Sequence, residues 1–293
     1  MSETLTEGSF DLNGYRFGGE SDPLVVGPGG FDMGVTEPRI QDQENPVGDN
    51  LSFGRDLLKP QTWTWTMKSN LDDLPTALDA LEHAQEAWRQ AREAPGLVVP
   101  LDYCLGGRQR RVYGRPRRFT HDLRPLAWQG EVNVLADFVR ADTLYYSDTA
   151  QVVDLSLTPG AQKGLATPLI GPLTTIGSIT ASGTIGAFGT APSPFIAILY
   201  GPITSPWLEG PGWRIELSTS IPAGQHVVID TRPWAQTVTR GDGASLAGAL
   251  SRGTRLLTAR IPPGIASGVT LGGIDGTGTA HCQITWRPAY RSL

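Results

Sequence analysis

The residues that could do chemistry are few and scattered. The four histidines, His83, His121, His226 and His281, lie far apart, and none stands in an HExxH or paired Cys/His spacing that would bring two ligands to one metal. No GxSxG nucleophile elbow and no phosphate-cradling GxxxxGK[ST] loop occurs. The run Gly272-Gly-Ile-Asp-Gly-Thr-Gly278 has neither the GxGxxG spacing nor a helix after it, and reads as a turn between two strands. The expectation is therefore no cofactor, no metal and no enzyme. Glycoside hydrolysis needs two carboxylates facing each other across a groove, and residues 151–293 offer only Asp154, Glu209, Glu216, Asp230, Asp242 and Asp275 for it. Trp207, Trp213, Trp234 and Trp286 could form a sugar-stacking platform, although buried anchors of a sandwich are the expected role. Arg240-Gly241-Asp242 and the sequon Asn50-Leu-Ser52 are short enough to arise by chance.

Charge is more informative. Arg108, Arg110, Arg111, Arg115, Arg117 and Arg118 crowd six guanidiniums into eleven residues around Tyr113-Gly114 and Pro116. Such a run can bind phosphate, decorate a solvated hairpin or meet acid on another subunit, and the last is taken as the binding hypothesis. Residues 1–60 carry eleven carboxylates against Arg16, Arg39, Arg55 and Lys59. Asp42, Glu44, Asp49 and Asp56 lie in a stretch broken by Pro and Gly, where they would either solubilise a loop or present negative charge to a partner. Residues 1–150 hold 15 basic and 23 acidic side chains and residues 151–293 hold 9 and 6, so neither half has the concentrated positive charge of a nucleic-acid binder. Cys104 and Cys282 form no CxxC and read as buried free thiols of a reducing compartment. No stretch approaches the length of a membrane helix, and the first ten residues lack the basic and apolar regions of a secretion signal.

The elements that must carry these residues are mostly strands. Phe10-Asp-Leu12 and Tyr15-Arg-Phe17 flank Asn13-Gly14, a two-residue hairpin signal. Residues 18–59 show little periodicity and read as a long loop. Trp63, Trp65 and Met67 alternate with Thr62, Thr64 and Thr66 as a half-buried strand. One helix is expected from about Leu74 to about Ala94, capped by Asp72 or Asp73, stopped by Pro95-Gly96, with a stripe of Leu74, Leu78, Leu81, Ala84 and Trp88. Leu97–Leu105 ends at Gly106-Gly107 as another strand. From 127 to 148 the chain turns from one composition to another: Val132, Val134, Ala136 and Phe138 alternate as the closing strand of a first domain, and Arg140-Ala-Asp142 is expected to break that alternation. Beyond it, Gly, Pro, Ser and Thr surround short apolar runs. Strands are expected at Ile196–Tyr200, Trp213–Leu217, His226–Asp230, Arg255–Ile261 and His281–Trp286, as in a β-sandwich. The resulting division is a β domain with one helix over 1–150, a linker with first strands over 151–190, and a β-sandwich over 191–293.

The order of these signals resembles the distal tail proteins of long-tailed bacteriophages, also called minor tail proteins. The likeness is carried by FDLNGYRF, EPRIQDQENPVGDNLSFGRD, the single helix, RVYGRPRRF and the strand ending in ADTLYYSD, then by SPFIAILYGPITSPWLE, VVIDTR and ITWRPAY. Gly160–Ala191 departs from it by being long and irregular. The resemblance implies a mainly β chain, an N-terminal domain that closes into a homo-oligomeric ring of six copies, and a C-terminal galectin-like sandwich outside it. It also implies a virion protein made in the host cytoplasm, joining the tail tube protein to the tip, baseplate hub and tape measure proteins. DNA would pass only in transit through the channel, with no membrane involved; Asp42, Glu44, Asp49 and Asp56 would then face the channel. The alternatives are a carbohydrate-binding receptor-recognition protein and, behind it, a wall-glycan hydrolase.

Overall fold

A computed structural model describes residues 4–44, 47, 49–69, 74–93, 96, 98–122, 132–157, 178–186, 188–275 and 277–293. The chain divides into two compact units, Met1–Asp148 with Arg291–Leu293, and Thr149–Tyr290. It is mainly β with a single α-helix among the described residues.

The first unit opens with β1 (Phe10–Leu12) and β2 (Tyr15–Phe17), joined by Asn13 and Gly14 at φ 55° and 83°. Both turn residues sit in the left-handed region that a two-residue hairpin demands, as the Asn-Gly pair predicts. Next come β3 (Leu24–Asp32), the two-residue strands β4 (Pro38–Arg39), β5 (Gln43–Glu44), β6 (Leu51–Ser52) and β7 (Leu57–Leu58), and then β8 (Thr62–Ser69). Helix α1 (Leu74–Glu93) follows, then β9 (Val99–Leu105), the long β10 (Arg108–Asp122), β11 (Asn133–Arg140) and β12 (Tyr145–Ser147). The strands run β2-β1-β9-β10-β11-β8-β3, with β12 on β10. Gly18 donates to the Leu24 carbonyl and accepts from the Val26 amide, so β3 returns to the end of β2 and the sheet curls on itself.

Inside the curl lies an aromatic core. Phe10 meets Phe17, Phe31, Trp63, Trp65 and Tyr103 with ring centroids 4.9–6.4 Å apart, mostly tilted or edge to face. The helix closes it by setting Trp88 against Phe17, Trp65 and Phe119. Its buried stripe is Ala77, Ala80, Leu81, Ala84, Ala87, Trp88 and Ala91, while Leu78 is only half-buried. Small alanines bring the helix axis close to the sheet, and one large indole reaches between the strands. The expected caps Asp72 and Asp73, the stop at Pro95 and the side chain of Leu74 lie outside the described residues.

Two expectations for this unit are corrected. Residues 18–59 are not a plain loop: β3 pairs with β8 through a bulge between Val26 and Phe31, and its Gly27, Gly29 and Gly30 and Pro28 hide the period that a strand would show. The strand at 133–140 lies inside the sheet, between β10 and β8, and Arg140 does not break its alternation. Residues 134, 136, 138 and 140 all point inward, and Arg140 is 2% exposed.

The second unit is a two-sheet sandwich. Its strands are β13 (Gln151–Ser156), β14 (Ser178–Gly186), β15 (Phe195–Tyr200), β16 (Ile203–Gly210), β17 (Trp213–Glu216), β18 (Ser220–Ile221), β19 (His226–Asp230), β20 (Thr237–Arg240), β21 (Ala266–Ile274) and β22 (His281–Trp286). One sheet runs β13-β22-β15-β19-β20 and the other β14-β21-β16-β17 with β18 on β16. The core between them is built from alternate residues, among them Leu155, Ala197, Leu199, Ile229, Cys282 and Ile284 from the first sheet and Ile185, Leu208, Ile215, Val269 and Leu271 from the second. As the alternation predicts, Cys282, Ile284 and Trp286 face inward while His281, Gln283 and Thr285 do not. Segment 151–190 contributes β13 and β14; most of the irregular passage from 160 to 191 lies outside the described residues.

The strand expected at Arg255–Ile261 is absent. Thr254, Thr258 and Ala259 donate three residues back, giving successive turns, and only Ile261 makes a β-bridge, to Ser193. Leu256, Ala259 and Ile261 are buried by those turns, which mimics the apolar signal of a strand. The glycine-rich run at 272–278 is likewise only partly a turn. Residues 272–274 finish β21, and the turn proper is held by Asp275, which accepts from the Thr277 and Ala280 amides.

Candidate assembly surface

The connection from β3 to β8 is an arm. At its base Pro38 and Arg39 pair with Leu58 and Leu57, and farther out Gln43 and Glu44 pair with Ser52 and Leu51. Between the two short ribbons the Gly54 amide donates to Asp42, and a Cβ on Gly54 would lie 2.1 Å from the Gln41 carbonyl oxygen, so only glycine permits that crossing. Lys59 donates to Glu37 at 3.0 Å near the base. Among the described residues from 33 to 61 none belongs to the buried core. Instead Val35, Ile40, Val47, Leu51, Phe53 and Leu58 are exposed, Val47 at 92% and Phe53 at 82%. A two-stranded ribbon without a buried face is marginal in water, and large apolar side chains grouped on one mark a surface that something covers. The four carboxylates singled out in the sequence belong to this arm: Glu44, Asp49 and Asp56 are exposed on it, and Asp42 is half-buried in the crossing.

The six arginines belong to β10, an interior strand rather than a solvated hairpin tip. Most have partners in their own chain. Arg111 grips both oxygens of Asp102 on β9 at 2.6 Å, and Arg118 meets Asp137 on β11 at 3.0 Å. Arg115 donates to the Arg92 carbonyl in the last turn of α1, where the helix dipole favours a cation, and Arg108 donates to the Leu293 carbonyl. Although burial works against its charge, hydrogen bonds to Asp102 and the charge of that carboxylate hold the Arg111 guanidinium above its ordinary value. Arg117 differs. It stands in the bulge between Pro116 and Phe119, is exposed, and makes no ion pair among the described residues.

Arg140 is the residue that sequence reasoning missed. Its guanidinium carbon lies 4.2 Å from the Tyr145 ring centroid and 5.5 Å from that of Trp63. It donates to Gln61 Oε1 at 2.6 Å and to the Leu144 carbonyl at 2.8 Å. Aromatic faces and neutral acceptors together replace the carboxylate that a buried cation otherwise needs. The available signal was position: 140 continues the even-numbered alternation of 132–138.

In the second unit the candidate acid groups are tied down. Glu209 and Glu216 flank Arg214, Asp230 pairs with Arg232 at 2.6 Å, Asp242 with Arg240, Asp154 accepts from Gln283, and Asp275 organises its turn. Trp213 and Trp286 are buried anchors; Trp207 and Trp234 are half-buried, beneath Arg214 and Arg232 respectively. His281 stacks on Tyr200 at 4.3 Å, His226 lies 5.7 Å from the same ring, and His121 bonds to Gln85. No group of three metal-ligating side chains gathers among the described residues. Both cysteines are free and buried, and burial pushes each thiol up, that of Cys104 with help from the Glu7 carboxylate. No helix among the described residues is long and apolar enough to cross a membrane.

No protein-family model and no curated sequence matches the chain. Solved structures do. The Dit protein (gp 19.1) of phage SPP1, described as a paradigm of the hub of the adsorption apparatus in phages infecting Gram-positive hosts, is 11% identical with a TM-score of 0.54; the match covers 96% of this chain and 98% of that one. A chain of the phage P2 baseplate in its activated conformation with Ca is 12% identical at a TM-score of 0.52, covering 90% and 91%; the same baseplate with Sr gives 0.51. Over nearly its whole length the chain therefore has the fold of phage distal tail and baseplate proteins, the resemblance that the order of its sequence signals carries.

Proposed function

We propose that this chain is a structural protein of a phage tail tip, whose first unit joins copies of itself into a closed ring of six. The ring connects the tail tube to the tip and baseplate proteins and surrounds the path of the DNA and the tape measure. The observation that carries this is the arm: six large apolar side chains exposed on a ribbon with no core of its own, in a chain whose fold is that of hub and baseplate proteins. In this reading the arm of one copy lies across the first unit of the next. Closed symmetry satisfies every copy equally. The protein acts by assembly and not by catalysis. Glu44, Asp49 and Asp56 face the lumen, where negative charge keeps a polyanion in transit from binding the wall, within a screening length of roughly 8 Å at physiological salt.

The test is light scattering coupled to size exclusion on the full chain, followed by electron microscopy of the assembled particle. A closed ring is expected for the wild type, with Phe53→Ser plus Val47→Ser weakening assembly by at least tenfold in concentration while the thermal midpoint of the monomer stays unchanged. A monodisperse monomer at high concentration, or a ring indifferent to the double variant, overturns the reading. A lumen wall that is net positive at the level of the arm removes the channel role alone.

A further inference from the structure

Asn13-Gly14 is the single Asn-Gly pair in the chain, and it carries a reactivity besides its turn. When glycine follows asparagine, the glycine backbone nitrogen reaches the side-chain amide carbon without a Cβ in the way. At Gly14 a Cβ would meet nothing within 4 Å, so no neighbouring group screens that nitrogen either. Both residues are exposed at the tip of the β1–β2 ribbon, open to the water that the reaction consumes. Asn133 differs on each count: Val134 follows it, and β10 and β8 pair with it on either side.

Two contacts restrain the pair. The Gly14 amide donates to Asp11 Oδ1 at 2.9 Å, and Asn13 Nδ2 donates to Gln90 Oε1 on α1 at 3.2 Å. The first holds the proton that attack must remove, beside a carboxylate whose charge disfavours an anion on that nitrogen. The second keeps the leaving nitrogen turned toward the helix, where Gln90 is itself placed by donating to Glu86 Oε1 at 2.7 Å. The backbone is fixed as well, with φ 55° and 83° at the two turn residues.

We propose that Asn13 is a site of hydrolytic modification that the folded ribbon holds in check through Asp11 and Gln90. The Gly14 nitrogen bonds to Asn13 Cγ, the Cγ–Nδ2 bond breaks, and the Gly14 amide proton leaves with that nitrogen as ammonia, giving a cyclic imide. Water then opens the ring at either carbonyl to yield aspartate or isoaspartate, with nothing oxidised or reduced. Aspartate here lacks the donor to Gln90 and adds a second carboxylate beside Asp11. Isoaspartate lengthens the backbone of a two-residue turn by one methylene, against a register that pairs Leu12 with Tyr15 and Phe10 with Phe17. Since the rings of Phe10 and Phe17 stack at 5.5 Å in the aromatic core, damage at the exposed tip reaches the interior of the first unit. None of this depends on ring assembly.

The experiment incubates the full-length protein at pH 8 and 37 °C, folded and in urea, and follows Asn13 by peptide mass spectrometry with isoaspartate detection. Conversion is expected at Asn13 and not at Asn133, at least tenfold more slowly in the folded chain than in urea. Asp11→Ala and Gln90→Ala are each expected to speed conversion in the folded protein about threefold to tenfold, the range that loss of one exposed hydrogen bond allows. Gln90 is an exposed helix residue, so its variant decides the matter if Asp11→Ala fails to fold. The converted fraction is expected to melt below the intact protein. Equal rates in folded and unfolded chains, an Asn13 that stays intact in urea, or a folded Gln90→Ala variant that converts no faster than wild type overturns the proposal.

Discussion

At the scale of single residues, Arg140 shows what a regular alternation can conceal. A guanidinium at an inward position of β11 is stable only because Tyr145, Trp63, Gln61 and the Leu144 carbonyl all converge on it. Removing it leaves a cavity and takes a donor from the Leu144 carbonyl and from Gln61 Oε1, to which only Tyr145 Oη still donates, at 3.5 Å. Arg140→Ala is expected to destabilise the first unit by about 3 kcal/mol, read by urea unfolding. A loss within the error of the method would mean the cation is not held as described. Glu7 acts at the same scale. Its carboxylate accepts from the Gly107 and Gly106 amides, which hold its pKa below the usual glutamate value. A depressed folded-state pKa contributes stability above the unfolded value and loses it as pH falls through the folded one. The thermal midpoint of the wild type should therefore exceed that of Glu7→Gln at pH 7, with the gap closing as pH drops below 4.5. A gap that persists in acid would place the contribution in shape instead of charge.

Among the elements, β10 and the arm are the two that the proposed assembly draws on, and they differ in what they leave exposed. The arginine run looks uniform in sequence, yet Arg111, Arg115, Arg118 and Arg108 are used within the chain, so neutralising several at once would confuse assembly with folding. Arg117 is the position where the two separate. Arg117→Glu is expected to weaken self-association several-fold, more at low salt than at high salt, with no change in the thermal midpoint. Equal association at both salt concentrations would remove β10 from the assembly surface. The arm has the opposite character: its charges are mixed and its apolar residues are the ones without cover. Its β-pairs are local and short, so its order depends on what it lies against.

For the whole molecule, the combination of a curled sheet with an aromatic core and a separate sandwich is the fold it has in common with the SPP1 Dit protein. Similar fold at 11–12% identity means that hydrophobic pattern and topology persist where side-chain identities do not. Elements with strong local contrast were legible in the sequence. Asn13-Gly14 dictates its own turn, Trp63-x-Trp65-x-Met67 and Val132 through Phe138 declare a two-residue period, and one amphipathic stripe between stops makes the helix. Those signals depend only on neighbours along the chain. β3, β16 and β21 were not legible, because glycine, proline and threonine give an outward face almost no contrast with an inward one. Their pairing comes from strands far away in sequence, as β16 on β21 and β14 on β21 demonstrate. Burial without pairing produced the converse error at Arg255–Ile261. The sequence by itself determined which short segments extend, turn or coil, since backbone preference and periodicity are local. Only the tertiary structure decided that Arg140 is buried, that β10 shares most of its arginines within the chain, that the arm is uncovered and that Gln90 on α1 holds Asn13. Each of those depends on which distant residue stands opposite, and register is settled by packing of the whole core.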